Sequence, residues 1–522
     1  MGPHREGDEP KPMTNGREKS DLAIVAGKPA NEALQGAKER VEPRAGTKEN
    51  APQDSTPRTP SRFNVSPGLE RVRQVAKGLK KEKFTALLHH VTTELLGIAY
   101  SALKREAAPG VDGVTWNDYG QDLEAKLKDL HGRIHRGAYR AQPSRRKFIP
   151  KPDGRERPLG IAALEDKIVQ RALVEVLNAV YEEDFLGISY GFRPGRSQHD
   201  ALDALAVGID RTQVNWILDA DIAGFFDTVD HEWLIRFLEL RIGDVRVIRL
   251  ICKWLKAGVM EEDGSVSPTK KGTPQGAVIS PLLANIYLHY VFDLWAHQWR
   301  KRRAQGNVIL VRYADDIVAG FARQEEAESF QAGLHARMAQ FALTLHPEKT
   351  RLIEFGRHAA VQRKARGLGK PETFDFLGFT HICGRSRRGG FLLRRMSRRD
   401  RMRAKLRAIK EELRRRWHEP ICVQGQWLQQ VVRGWFNYHA VPTNVRSLGM
   451  FRHCVSEIWL RALRRRSQRD NTLWKEMRTV SARWLPTPRI THPWPSMRFG
   501  VKHPRWEPYA LIGPVRICAG GA

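Results

Sequence analysis

The feature that most constrains this chain is a pair of short acidic strands. The first lies in Trp216-Ile217-Leu218-Asp219-Ala220-Asp221-Ile222-Ala223-Gly224-Phe225-Phe226-Asp227. A two-residue side-chain period there puts Asp219 and Asp221 on one face. The second is Val311-Arg312-Tyr313-Ala314-Asp315-Asp316-Ile317-Val318, in which apolar, β-branched runs flank two adjacent acids. It reads as two strands joined by a tight acidic turn. An isolated Asp-Asp pair is as a rule a solvated turn, but two such strands in one chain change the reading. Packed side by side, they would converge Asp221, Asp315 and Asp316, carboxylates that repel one another and are costly to desolvate without a counter-cation. Such a cluster suits two Mg²⁺ ions roughly 3.5–4 Å apart, assisting an in-line phosphoryl displacement. The spacing leaves open whether the strands meet.

The partner of such a site follows from charge. The 522 residues carry a net charge of +30 with 28% charged residues and 14 tryptophans, a balance that points to a polyanion, most simply nucleic acid. A membrane surface is the weaker reading, since no stretch approaches 18 uninterrupted apolar residues. Five scattered cysteines, never in a CxxC pair, indicate neither a disulfide framework nor a zinc site and fit a reducing cytoplasm. Met1-Gly2-Pro3-His4-Arg5-Glu6 has no apolar signal core.

Further signals lie along the chain. Residues 1–60, rich in Pro, Gly, Lys and Glu, read as a disordered extension, with folding on RNA as the other reading. Residues 61–145 form an N-terminal helical segment, with Phe84, Leu87, Leu88, Val91, Leu95, Leu96 and Ala99 at three- and four-residue steps. Within it, Ala108-Pro109-Gly110-Val111-Asp112-Gly113-Val114-Thr115 is a turn before a helix beginning near Asn117. In Ile149-Pro150-Lys151-Pro152-Asp153-Gly154-Arg155-Glu156-Arg157, a Pro-Asp-Gly hairpin turn sets Lys151 and Arg157 on opposite arms, where both could close over one anion. A solvated basic hairpin is the plainer account. A helix is expected from Asp166 to about Val180. The aromatics, glycines and arginines of Ile188-Ser189-Tyr190-Gly191-Phe192-Arg193-Pro194-Gly195-Arg196-Ser197 suit a surface that tracks a nucleic-acid backbone, although Ser197 also reads as a simple helix cap. Gly272-Thr273-Pro274-Gln275-Gly276 makes a tight turn before a helix from Pro281 to about Trp295.

Taken in order, Phe225-Phe226-Asp227 after the first acid, Gly272 to Gly276, and Tyr313-Ala314-Asp315-Asp316 resemble a reverse transcriptase palm. The stretch from Gln275 to Leu288 resembles more closely still the reverse transcriptases encoded by group II introns. Leu345-His346-Pro347-Glu348-Lys349-Thr350 and Phe374-Asp375-Phe376-Leu377-Gly378-Phe379 are similar to the last palm motifs, so the resemblance covers about residues 105–385. It implies an α+β right-hand polymerase fold, with fingers and palm over 146–385 and a helical thumb/maturase domain over 386–465. The acid followed by Ile-x-x-Phe-Phe is Asp221, so Asp221, Asp315 and Asp316 are the implied catalytic residues. With Ile222 they would hold two Mg²⁺, leaving Asp219 as a supporting or surface acid. The resemblance also implies that Lys151, Arg157 and Gln275 hold dNTP. Phe226 would lie under the sugar, where its ring would clash with a 2′-hydroxyl. Gly110, Asp112, Arg193 and Arg196 would meet the template, and the Leu-Gly-Phe turn would support the primer terminus.

After Gly384 arginine dominates, and Ser397 to Trp417 reads as a basic helix with Met402, Leu406, Ile409 and Leu413 along one face. Val432-Arg433-Gly434-Trp435-Phe436-Asn437-Tyr438-His439 resembles the maturase signature of group II intron proteins, which implies RNA binding by Arg433 and Trp435. Residues 466–522 are expected to form a basic C-terminal segment able to bind DNA. They lack the paired cysteines and histidines of the HNH nuclease that ends many family members, so second-strand cleavage is not expected. The expected function is RNA-directed DNA synthesis joined to maturase binding of a group II intron RNA. RNA template, DNA primer or target, and dNTPs are the partners, and the cytoplasm is the location. A CRISPR-associated or diversity-generating reverse transcriptase and a splicing-only maturase are the rivals; the intact Tyr-Ala-Asp-Asp and Asp221 speak against the last.

Overall fold

The computed structural model describes residues 66–150, 156–273, 275–466 and 473–502. Three small sheets stand among long helices, the mixed α+β class expected. Helices Pro67–Gly78 and Thr93–Ser101 come first, with Ser66 and Thr92 capping them by accepting from the Leu69 and Leu95 N–H groups. Between them the helical period breaks at a single 3-10 turn, Leu88–His90. The Leu87 and Leu88 N–H groups donate instead to Asp244 Oδ2 at 2.9 and 3.0 Å. A distant buried carboxylate thus replaces the helical partners of this segment.

Strands β1 (Ser144–Pro150) and β2 (Glu156–Ile161) form an antiparallel hairpin with Ile149 opposite Arg157. Lys151 and the Pro-Asp-Gly turn lie outside the described residues. The next helix, Leu164–Asp184, outruns its expected ends because it is buried on nearly every side and tertiary packing, not an amphipathic stripe, sets its length. Strand β3 (Trp216–Asp221) follows, and β4 (Val259–Met260) and β5 (Val266–Ser267) extend the first sheet in the order β2-β1-β4-β5. Helix Ser280–Leu288 passes through a π-helical turn, His289–Asp293, into helix Leu294–Arg302, so the expected stop near Trp295 is overrun.

The central sheet joins β3 to β6 (Val308–Tyr313), β7 (Asp316–Phe321) and β8 (Arg351–Glu354) in the order β6-β7-β3-β8. Leu218, Ala220, Leu310, Ile317 and Ala319 enter the large core on one face. Ile217, Ile309, Val311, Val318 and Ile353 pack on the other, with the helix Gln198–Arg211. Strands β9 (Phe374–Phe376), β10 (Phe379–Arg385) and β11 (Phe391–Ser397) make a third sheet. The division expected between residues 385 and 386 therefore falls in a hairpin: β10 and β11 pair from Phe379 opposite Ser397 to Arg385 opposite Phe391.

Helices Arg399–Arg415, Ile421–His439, Val445–Arg464 and Trp474–Trp484 pack around Ile409, Leu413, Trp459 and Met477. Met402 and Leu406 lie against the same core, as their spacing indicates. The last described helix, Pro495–Lys502, packs on Gln198–Arg211, buries Phe499 and directs Arg498 to Asp203. Residues 473–502 of the C-terminal segment are thus built into the fold. Among the described residues, no helix is long and apolar enough to cross a membrane.

Candidate active site

The two acidic strands meet. Antiparallel pairing of β3 with β7 sets Asp221 opposite Asp316 and Asp219 opposite Val318. Pairing of β6 with β7 sets Tyr313 opposite Asp316 and leaves Ala314-Asp315 as a two-residue turn. Asp219, Asp221 and Asp316 share one face by strand alternation. Like charges directly opposite in a sheet destabilise it. Asp316 keeps an open face although protein atoms crowd around it. That crowding first, and then the charges of Asp315, Asp221 and Asp219, push its carboxyl up to about 7. Burial likewise raises Asp219 to about 7, opposed by Arg351, whose guanidinium lies 3.9 Å away.

Asp221 has a cation already: Lys349 Nζ is 2.7 Å from its Oδ2. Beyond Asp221, the Ala223 N–H donates to Thr344 C=O and the His346 N–H to Asp221 C=O, framing a bridge between Ile222 and Leu345. In that pattern the N–H and C=O of Ile222 point the other way, to the side of β7 and the acidic turn. Among the described residues, no three Asp, Glu, His or Cys side chains are already drawn together as a metal cage. The donor set nevertheless fits a hard divalent cation: carboxylate oxygens on paired strands, a carbonyl turned toward them, and charge repulsion that a cation would relieve.

A buried network that the sequence reading missed holds the turn. Arg312, fully buried, donates to Asp293 Oδ1 at 2.7 Å and Oδ2 at 2.6 Å, to Asn285 Oδ1 at 3.0 Å and to Ser189 Oγ at 2.8 Å. Its Nη1 also donates to the Ala314 C=O at 3.0 Å, tying the guanidinium to the acidic turn itself. Ala314 has φ 56°, a left-handed conformation that costs an L-residue energy and has to be held in place. Gly191 packs so closely under the turn that a Cβ there would collide with the Ala314 backbone nitrogen. One signal was legible: Arg312 shares strand parity with Val308 and Leu310, so it had to face the core and find a buried acid.

Around this centre, the Gln275 side-chain amide donates to both Asp227 oxygens at 3.0 and 3.1 Å, and the Gly160 N–H donates to the Gln275 C=O at 2.6 Å. The Arg157 strand and the Gln275 loop are therefore joined. Gly272, at φ 84°, lies against Phe226 and Asp227; a Cβ would come within 2.7 Å of the Phe226 carbonyl oxygen. Phe226 is 5% exposed and meets Phe225 edge-on.

The expected nucleic-acid contacts divide. Asp112 is exposed, whereas Gly110 is buried because a Cβ there would come within 2.5 Å of Ala163 Cα. Arg193 is not on a template-facing surface: its buried guanidinium bonds Glu182, the Leu186 C=O and the Ser189 C=O. Arg196 donates to the carbonyls of Gly187 and Ser189, so both arginines shape the loop from inside. Arg433 is exposed, but Trp435 is a core residue, stacked on His439 and Phe451 at 3.9 and 4.6 Å, and its ring offers no platform to RNA. Neighbouring Tyr438 donates to the Leu377 C=O at 2.7 Å. It thereby ties this helix to the Leu377-Gly378 turn, whose positive φ angles of 47° and 83° mark a tight hairpin.

Residues 149–381 match the reverse transcriptase (RNA-dependent DNA polymerase) family. The chain is 34% identical over 315 residues to protein YkfC of Escherichia coli (strain K12), covering 54% of this chain and 77% of that one. It is 37% identical over 223 residues to the group II intron-encoded protein LtrA of Lactococcus lactis subsp. cremoris, covering 42% of this chain and 37% of LtrA. Nuclear intron maturase 4, mitochondrial, of Arabidopsis thaliana is 24% identical over 241 residues, 45% of this chain and 28% of that protein.

Proposed function

Because this chain belongs to the family of group II intron reverse transcriptases and maturases, we propose that it is an RNA-directed DNA polymerase that also binds a group II intron RNA and assists its splicing and mobility. The observation that carries the polymerase half is the register that sets Asp221 opposite Asp316 with Asp315 in the adjoining turn. In this reading the central sheet is the palm, the β1–β2 hairpin belongs to the fingers, and the helices from Arg399 onward form the thumb. Asp221, Asp315, Asp316 and the Ile222 carbonyl would hold two Mg²⁺. When bound, these ions supply Lewis-acid chemistry to the primer 3′-hydroxyl and to the leaving pyrophosphate.

The chain's own residues do the rest. Arg157 and Lys151 would grip the triphosphate. Gln275, oriented by Asp227, would set the nucleotide beside the acids, and the Phe226 ring would exclude a 2′-hydroxyl. Arg312 and Gly191 would fix the turn so that Asp315 does not move as charge develops, the pre-organisation that makes electrostatic catalysis effective. The maturase half is supported by the Val432 to His439 motif on the helix Ile421–His439 and by exposed Arg433 within a strongly basic bundle. Nucleic acids are the partners: intron RNA, an RNA template, and a DNA primer or target.

The test is primer extension on an RNA template with dNTPs and Mg²⁺, alongside intron-RNA binding. Asp315→Asn is expected to abolish extension and leave RNA affinity within about twofold, because it changes one charge in a surface dominated by phosphate contacts. An Asp315→Asn protein that still extends primers would refute the site.

A further inference from the structure

Lys349 stands where the reaction needs a different cation. Its Nζ lies 2.7 Å from Asp221 Oδ2, and its loop is anchored to the strand whose charge it neutralises. The His346 N–H donates to the Asp221 C=O at 2.7 Å, the Thr350 N–H donates to the His346 C=O at 2.9 Å, and β8, starting at Arg351, pairs with β3. The ammonium is therefore delivered to one oxygen of one carboxylate. Arg351 differs: it reaches Asp219 at 3.9 Å, an acid outside the proposed ligand set.

We infer that Lys349 is a placeholder that competes with the divalent cation for Asp221. It holds the carboxylate oriented while the site waits and leaves Oδ2 when the metal binds. This rests on the assignment of Asp221 as a metal ligand. The geometry suits a reversible role. The Lys349 side chain is 56% exposed, so the displaced ammonium returns to water, and its four-carbon stem is flexible enough to swing away. An exposed ion pair of this kind is weak and yields readily to a doubly charged competitor. Lys349 is thus a positioning residue that sets the metal concentration at which the site loads.

The experiment measures Mn²⁺ binding by electron paramagnetic resonance at low ionic strength. It uses the full chain without nucleotide or RNA, so the readout is independent of synthesis. Lys349→Met is expected to bind Mn²⁺ about fivefold more tightly than the parent, the factor that corresponds to one exposed ion pair. Asp221→Asn is expected to lose that binding. Unchanged or weaker binding in Lys349→Met, with the Asp221 dependence intact, overturns the placeholder role alone. An equal gain from Arg351→Met overturns it as well, because a general charge effect would then suffice. Mn²⁺ binding that ignores Asp221 in every variant refutes the metal assignment beneath it. Thermal melts confirm that each variant is folded.

Discussion

Replacing Asp293 by Asn changes the shape of one side chain hardly at all and removes a charge from the least accessible ion pair near the acidic turn. Arg312 and Asp293 are both fully buried and joined by two hydrogen bonds of 2.6 and 2.7 Å. The Asn amide can still accept one bond, but its NH₂ group then faces the Arg312 Nη2 donor. The guanidinium remains buried without a counter-charge. Breaking a buried pair from one side costs about 3–5 kcal/mol, roughly two to three and a half powers of ten in the folding constant. Urea unfolding of parent and variant in the same buffer measures this. Adding Arg312→Met removes the stranded charge and is expected to restore part of the loss. Recovery stays partial because Asn285 Oδ1, Ser189 Oγ and the Ala314 carbonyl lose their donor. Primer extension separates stability from positioning: the double variant regains stability but not rate, because nothing holds the Ala314 carbonyl. A loss below about 1 kcal/mol for Asp293→Asn, or a double variant that extends primers at the parental rate, would show that the network does not hold the turn.

Other outcomes follow from the same structure. Phe226→Val is expected to raise ribonucleotide incorporation relative to dNTP by about ten- to a hundredfold, the range over which a pocket discriminates by size; single-nucleotide extension with paired NTP and dNTP measures it, and an unchanged ratio would place Phe226 in the core alone. His381, buried against Phe374, is held near 3 by burial first and then by Arg395, against an ordinary 6.5. Its folded value is depressed, so its contribution to stability is present above about pH 6.5 and is lost as pH falls, because the unfolded chain takes up the proton. The stability of His381→Phe relative to the parent should therefore rise by roughly tenfold in folding constant per pH unit below 6.5 and stay flat above it; a difference that does not vary with pH rejects this. Arg433→Gln is expected to weaken RNA binding at all sequences and lower the salt slope by about one. Trp435→Phe should leave that slope unchanged and lower only the melting temperature.

The acidic pattern proposed to carry the chemistry is local, and for that reason it is legible in the sequence. The two-residue strand period put Asp219 and Asp221 on one face, the acidic pair at 315 and 316 had the pattern of a tight turn, and the order of the intervening motifs marked the family. The face of the basic helix that buries Ile409 and Leu413 was equally legible, since a 3.6-residue period survives in any context. What the tertiary structure alone decided is which groups meet across long loops. It placed Asp221 opposite Asp316 and put Lys349 on Asp221. It closed Arg312 over Asp293 and turned Arg193 and Trp435 inward. It also packed the helix Pro495–Lys502 onto the helix Gln198–Arg211. An arginine or a tryptophan in a motif reads the same whether it faces phosphate or core. Its role is set by which groups surround and desolvate it, and the fold brings those together: Glu182, Leu186 and Ser189 around Arg193, and Phe451 over Trp435.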